Sequence, residues 1–233
     1  MKTPLAAALA AVVASPACGE VIISEIFYNL NGSENGVVEW VEITNTGSSE
    51  VDLSGWIYGD DQDGAYSDPF SAGTALAAGA SAVITGQDPS TFQSIWGPDI
   101  QVINFLVEGA NTGISLANGA SATNETPAIF DASNTLVDAA NYENGTGGWP
   151  SGNGQSIYLL PNRFTPSAND VGANWGTSTA GLDGAYAALI VNPDIDNAST
   201  MDVASPGFAA IVPEPTTVLL AAVALAGAAA RRV

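Results

Sequence analysis

Between Glu20 and Ile211 apolar residues alternate with polar ones or fall into short runs, and clusters of Gly, Asn, Asp and Ser interrupt them. Breaks spaced about ten residues apart are the mark of many short strands. The pattern predicts strands at Val21–Tyr28 and Val37–Thr44, separated by the polar stretch 29–36, with a turn at Asn45-Thr46-Gly47. Val51–Leu53 then leads through Ser54-Gly55 into Trp56–Tyr58. Further strands are predicted at Ser81–Thr85, Gln101–Phe105, Gly113–Leu116, Ala128–Asp131, Thr135–Tyr142 and Gln155–Leu160. Ser90–Ile95 lacks Gly and places Phe92 and Ile95 on one side, which predicts a single short helical turn. Ala132-Ser133-Asn134 separates two strand-like runs, a three-residue hairpin loop ending in a residue that tolerates the left-handed conformation. With no long amphipathic helix and no internal repeat, the economical architecture is an all-β, antiparallel β-sandwich. In it Val51 and Leu53 face a core, Gly55 turns the chain and Trp56 caps it. Trp40, Trp96, Trp149 and Trp175 are expected in the core as well; Trp149, beside Gly147-Gly148, is the tryptophan best placed to stack on a glycan instead.

The pattern changes at both ends. Met1-Lys2, an Ala, Val and Leu run from Leu5 to Ala14, and Ser15-Pro16-Ala17-Cys18-Gly19 have the layout of a secretory signal peptide, with cleavage after Ala17 or Gly19. Lipidation of Cys18 is the rival reading, and Ser15 stands where lipoprotein signals carry Leu. At the other end Val212-Pro213-Glu214-Pro215-Thr216-Thr217 precede an apolar run, Val218–Ala230, and then Arg231-Arg232-Val233. Those 13 apolar residues make a helix about 20 Å long, short of the roughly 30 Å hydrocarbon core of a bilayer. The terminal arginines keep to the cytoplasmic side, so residues 218–230 predict a transient inner-membrane anchor with everything before Thr216 outside. The expected organisation is therefore 1–19 signal peptide, 20–211 β-sandwich and 212–233 sorting segment.

Composition narrows the chemistry. The chain has 233 residues, no His and one Cys, so it lacks Ser-His and Cys-His nucleophiles, His-ligated zinc and an internal disulfide. Between residues 20 and 212 one basic residue, Arg163, faces 23 acids, a formal charge of −22. Nucleic acid is excluded as a partner, because neutralising phosphates requires Lys and Arg. The only Lys is Lys2, which also removes Ser-Lys hydrolysis and leaves the Gly-rich stretch 145–154 without the lysine of a phosphate-binding loop.

Oxygen ligands crowd into Gly59-Asp60-Asp61-Gln62-Asp63-Gly64, with Asp68 beyond. Asp60, Asp61 and Asp63 are candidate calcium ligands, since calcium takes carboxylates gathered before a Gly turn. Aligning Gly64 with the turn glycine of an EF-hand loop puts Gly59 at the first ligand position and Phe70 where the bidentate Glu belongs, so the segment departs from that motif. Asp194-Ile195-Asp196-Asn197 is a second acidic patch; the alternative for both is a solvated acidic loop. Glu39 and Glu42 lie three apart, so on a strand they point to opposite faces and do not form an acid-base pair by themselves.

Two resemblances follow from these residues. Val-Pro-Glu-Pro-Thr at 212–216, the short apolar run and Arg231-Arg232 resemble the PEP-CTERM sorting signal of Gram-negative bacteria. The resemblance implies recognition of Pro213, Glu214, Pro215, Arg231 and Arg232 by an exosortase, cleavage near Pro-Glu-Pro, and delivery to the cell surface or an exopolysaccharide matrix. Signal peptidase is the expected processing enzyme at the other end.

Within the domain, Ile23-Ser24-Glu25-Ile26 with Tyr28-Asn29, Glu39-Trp40-Val41-Glu42-Ile43 with Asn45-Thr46-Gly47, and Val51-Asp52-Leu53-Ser54-Gly55-Trp56 resemble the lamin-tail domain. Looser matches continue through Trp149-Pro150, Gly154–Ile157 and Ser205-Pro206-Gly207, so the likeness spans about 22–208. It implies an immunoglobulin-like sandwich acting as a binding or tethering module. A long acidic loop at 59–70 and an extended polar region at 165–200 depart from it. The expected function is a non-catalytic structural, adhesive or tethering role. Binding of calcium or carbohydrate in the matrix is the alternative, and a carboxylate-based secreted hydrolase comes third.

Overall fold

A computed structural model describes residues 21–33, 36–59, 67–104, 114, 116–119 and 126–208. The chain runs β1 (Val21–Phe27), β2 (Trp40–Asn45), β3 (Val51–Asp52), β4 (Ile57–Gly59), β5 (Ala75–Leu76), β6 (Ser81–Thr85), α1 (Pro89–Trp96), β7 (Val102–Asn104), β8 (Ala128–Phe130), β9 (Leu136–Ala139), β10 (Ile157–Leu159), α2 (Pro166–Asn169), a 3-10 turn (Gly172–Asn174), β11 (Trp175–Thr177), β12 (Tyr186–Ala187) and β13 (Val203–Ala204). A six-stranded sheet has the order β11-β10-β1-β2-β6-β7, a three-stranded sheet β4-β8-β9, and the remaining strands form two ribbons, β3-β5 and β12-β13.

Period-two alternation in β1 and β2 sorts the core. Ile26, Val41, Ile43, Ala82 and Ile84 face Tyr58, Leu76 and Ile129 of the smaller strands and Leu53 just after β3, which gives the expected sandwich. Each fully buried Ile or Leu here contributes about 1.5–3 kcal/mol through the hydrophobic effect. The opposite face is also covered: Phe27, Trp40 and Val83 pack against Phe92, Ile95 and Trp96 of α1, and against Ala188 and Ala204 of the β12-β13 ribbon. Trp40 meets Phe27, Phe92 and Trp96 edge-on at centroid distances of 5.6, 5.9 and 6.1 Å.

Two features correct the sequence reading. The sheet is not wholly antiparallel, because β7 runs parallel to β6, joined to it across α1. Such a pair needs a crossover connection, and α1 supplies it. Its helix is longer than the predicted turn because the Asp88 carboxylate accepts from Ser90 N at 2.9 Å and Thr91 N at 3.1 Å, with Pro89 at the first helical position. Second, region 165–200, where the pattern predicts no element, is built of several short ones. It holds α2, the 3-10 turn, β11 and β12, tied inward by Trp175 Nε1 donating to Asn169 O at 2.8 Å.

Of the predicted Gly113–Leu116 strand, Ile114 and Leu116 are buried but lie outside any strand, and Leu116 N donates to the Glu39 carboxylate at 2.5 Å. The predicted hairpin is present: Asn134 takes φ 60°, and Asp131 Oδ1 accepts from Ser133 N and Thr135 N at 2.8 and 2.9 Å. Gly55, at φ 77°, makes the predicted turn, and half-buried Trp56 packs on the core beyond it. Trp149 is buried against Trp175 at 5.3 Å, which removes it as a glycan-stacking surface.

Gly154 carries a specific requirement. Its φ is +67°, and a Cβ there would lie 2.1 Å from the Asn31 amide nitrogen. The Gly154→Ala variant is expected to lose about 2–3 kcal/mol, combining the left-handed penalty with displacement of a hydrogen-bonded Asn. Chemical denaturation of the two proteins side by side checks it.

Candidate functional site

Register brings together two carboxylates that are far apart in sequence. β1 and β2 pair so that Glu25 lies opposite Glu42, with a register shift between Ile23 and Glu25. Both side chains are on the face that carries Phe27 and Trp40, and both are 1% exposed. Glu39, by contrast, serves the other core through Leu116, so Glu39 and Glu42 do point apart.

Donors from the protein surround the pair. Glu25 Oε1 accepts from Ser156 Oγ at 2.5 Å and from Ser205 N at 2.8 Å, while Oε2 accepts from Ser205 Oγ at 2.8 Å. Glu42 Oε1 accepts from Ser24 Oγ at 2.8 Å, and Oε2 from Gly207 N at 2.6 Å. Hydroxyls continue outward: Thr44 donates to Ser24 at 2.8 Å, and Ser156 and Ser178 lie 2.7 Å apart. The result is a clasp in which two strands of the central sheet hold Ser205-Pro206-Gly207. The same segment is anchored upstream, where Asp202 Oδ1 accepts from Asn31 N and Nδ2, both at 2.9 Å.

Burial penalises the charged form, so it pushes both glutamates well above the ordinary carboxylate range; the neighbouring Glu25 raises Glu42 further, and the serine and backbone donors oppose the rise. Asp138 behaves alike on its own: burial pushes it up to about 7, although Ile23 N and Asn169 Nδ2 donate to it at 2.7 and 2.6 Å.

A narrow cleft opens over the pair between Tyr158, Phe164, Asp183 and Phe208. Tyr158 donates to Asp183 Oδ2 at 2.7 Å, and Phe208 lies over the turn at Gly184, where a Cβ would come within 2.1 Å of its ring. The cleft holds about one water. Raised, paired carboxyls are the raw material of general acid-base chemistry. Here each of the four oxygens accepts a protein donor, and the opening lacks the volume of a sugar ring.

Sequence reasoning missed Glu25 as half of a pair. The available signal was a Glu flanked by apolar residues in each of two strands, but the register that makes them neighbours depends on the shift between Ile23 and Glu25. The candidate calcium ligands Asp60, Asp61 and Asp63 lie outside the described residues, as do the sorting residues Pro213, Glu214, Pro215, Arg231 and Arg232, and the leader with Cys18. In the second acidic patch, Asp194 Oδ2 and Asn192 Oδ1 accept from Gln87 Nε2 at 2.8 and 2.9 Å. Among the described residues no three Asp, Glu or Cys are grouped to hold a metal ion, and no helix is long and apolar enough to cross a membrane.

Comparison with known proteins adds two matches. The Lamin Tail Domain model matches residues 14–144, and the PEP-CTERM protein-sorting motif matches residues 212–233. No curated protein and no solved structure matches the chain. The family match ends before β10, yet β10 pairs directly with β1, and residues 205–207 sit in the carboxylate clasp. With more than half its length matched and the predicted sandwich in place, the chain belongs to the Lamin Tail Domain family, and it carries a PEP-CTERM sorting motif.

Proposed function

We propose that this chain is a non-catalytic structural, adhesive or tethering module of the cell surface or extracellular matrix, exported and sorted by an exosortase. The observation that carries this reading is the clasp: the acidic pair best suited to proton transfer is committed to holding the segment from which the sorting motif departs. Residues 1–19 act as the signal removed by signal peptidase, residues 20–211 as the working domain, and residues 212–233 as the processing tail. Residues 218–230 hold the precursor in the inner membrane; the exosortase reads Pro213, Glu214 and Pro215, with Arg231 and Arg232 as the stop. The −22 charge of residues 20–212 keeps the released module soluble, and suits a neutral or cation-bridged exopolysaccharide better than any polyanion.

Fractionation with intact-mass analysis tests the reading, comparing a normal host with one lacking its exosortase. The expected result is protein truncated near Pro213–Thr217 in surface or matrix fractions of the normal host only. Full-length protein retained in the inner membrane of both hosts would overturn the sorting half. Turnover of an extracellular polysaccharide by the purified protein, abolished in Glu25→Gln, would overturn the non-catalytic half.

A further inference from the structure

The described residues include seven large apolar side chains that are exposed, and five of them, Leu182, Leu189, Ile190, Met201 and Phe208, lie in the segments that run into and out of the two strands of the β12-β13 ribbon. Register explains part of this clustering. β12 and β13 pair Ala187 with Val203, and one more bond follows, Ala188 N donating to Asp202 O at 2.8 Å; Leu189 and Met201 come next on either side of it, with Leu189 N donating to Ile95 O at 2.8 Å. Residues directly opposite each other in an antiparallel pair, and those two apart along a strand, share a face. Ala187, Leu189, Met201 and Val203 therefore make one outer face, while Ala188 and Ala204 turn inward onto the core beside Trp40. Phe208 and Leu182 extend the apolar surface at the ribbon's other end, 49% and 52% exposed.

The ribbon also lacks charge. In a region carrying −22, residues 182–190 and 199–208 contain only Asp183 and Asp202. Asp183 accepts from Tyr158, and Asp202 is buried against Asn31. Exposed Asp194 and Asp196 flank the far end, beyond Ile190.

Chain length names the occupant. Nine residues lie between Phe208 and Val218, where the apolar run begins, so the ten Cα–Cα steps of the tether span at most about 35 Å. A compact domain of about 190 residues is about 40 Å across. A tether shorter than the domain's own diameter holds the ribbon end that carries Phe208 near the bilayer, and residues 182–190 and 199–208, with only Asp183 and Asp202, present little charge to repel an anionic lipid surface. We propose that, while the sorting tail is anchored, the outer face of the β12-β13 ribbon rests on the lipid surface through Leu189, Met201 and Phe208. The inference rests on the sorting-tail reading above; cleavage near Pro213 then frees a face that the membrane had covered.

The test uses the full chain in a Cys18→Ser background, with an environment-sensitive dye at Met201→Cys or, as control, at Ser133→Cys on the β8-β9 loop. The protein is bound to vesicles of phosphatidylethanolamine and phosphatidylglycerol, with and without brominated acyl chains. The expected result is a blue-shifted dye at position 201, quenched by brominated lipid about twofold or more beyond the dye at 133. Adding Leu189→Ser and Phe208→Ser to the Met201→Cys protein reduces that quenching while the protein still floats with the vesicles. Equal quenching at both positions in protein that floats would overturn the ribbon inference and leave the anchor standing. Failure to float would overturn both. A blue shift without lipid would assign the face to the chain's own tail or to a second copy, and would also overturn the inference.

Discussion

Raising the pH from about 5 to about 9 lowers the thermal midpoint of the domain by about 10 °C. Glu25, Glu42 and Asp138 are all held protonated in the folded protein at pH values where the unfolded chain has ionised them. Their contribution is complete below the ordinary values of 4.5 for Glu and 3.8 for Asp. It is lost as pH rises, through about 7 for Asp138 and through the likewise elevated range of the glutamate pair. Above that range folding must bury ionised carboxylates, two of them side by side. Thermal unfolding by circular dichroism across this pH range checks the slope. Glu42→Gln keeps an acceptor for Gly207 N and removes the second charge, so its midpoint falls less between the same limits. Glu42→Ala leaves Gly207 N and Ser24 Oγ without the carboxylate and is destabilised at both ends of the range. A flat pH profile for the wild-type protein would contradict the buried pair.

Trp40→Ala is the most damaging single truncation predicted, with a loss of about 4 kcal/mol and a midpoint about 10 °C lower. Trp40 is fully buried and joins α1 to the sheet through Phe92 and Trp96. Trp40→Phe is much milder, because the indole Nε1 has no hydrogen-bond partner and the ring stack survives. Denaturant titration of the three proteins tests the order, and a Trp40→Ala protein within about 1 kcal/mol of wild type would show that α1 is docked by other contacts.

The longer strands were legible because each carries its own pattern, whereas two-residue β5 was not. Val21–Phe27 is almost wholly apolar, and Ala128–Phe130 and Leu136–Ala139 flank a loop whose Asn accepts a positive φ. The C-terminal elements were not, and their lengths say why: β12, β13 and α2 have two, two and four residues. Segments that short hold no periodicity and exist because their partners hold them, as Asn169 of α2 is held by Asp138 and Ile23 O. The carboxylate pair failed to show for the same reason. Glu25 sits beside Glu42 through pairing, and Ser205 and Gly207 reach the pair from 180 and 165 residues away along the chain. A motif search sees neighbours in sequence, whereas this site is made by strand register.

Those separations also bear on how the domain folds. β1 is the first strand of the described chain, and its partners β10 and the Ser205–Gly207 segment follow more than 130 residues later. Contacts of such long loop closure form late and reward the chain only when both ends are present. The last of them is Gly207, five residues before the sorting motif begins at Val212. The clasp therefore needs nearly the whole domain to be present, because the segment that completes it lies directly ahead of the sorting motif.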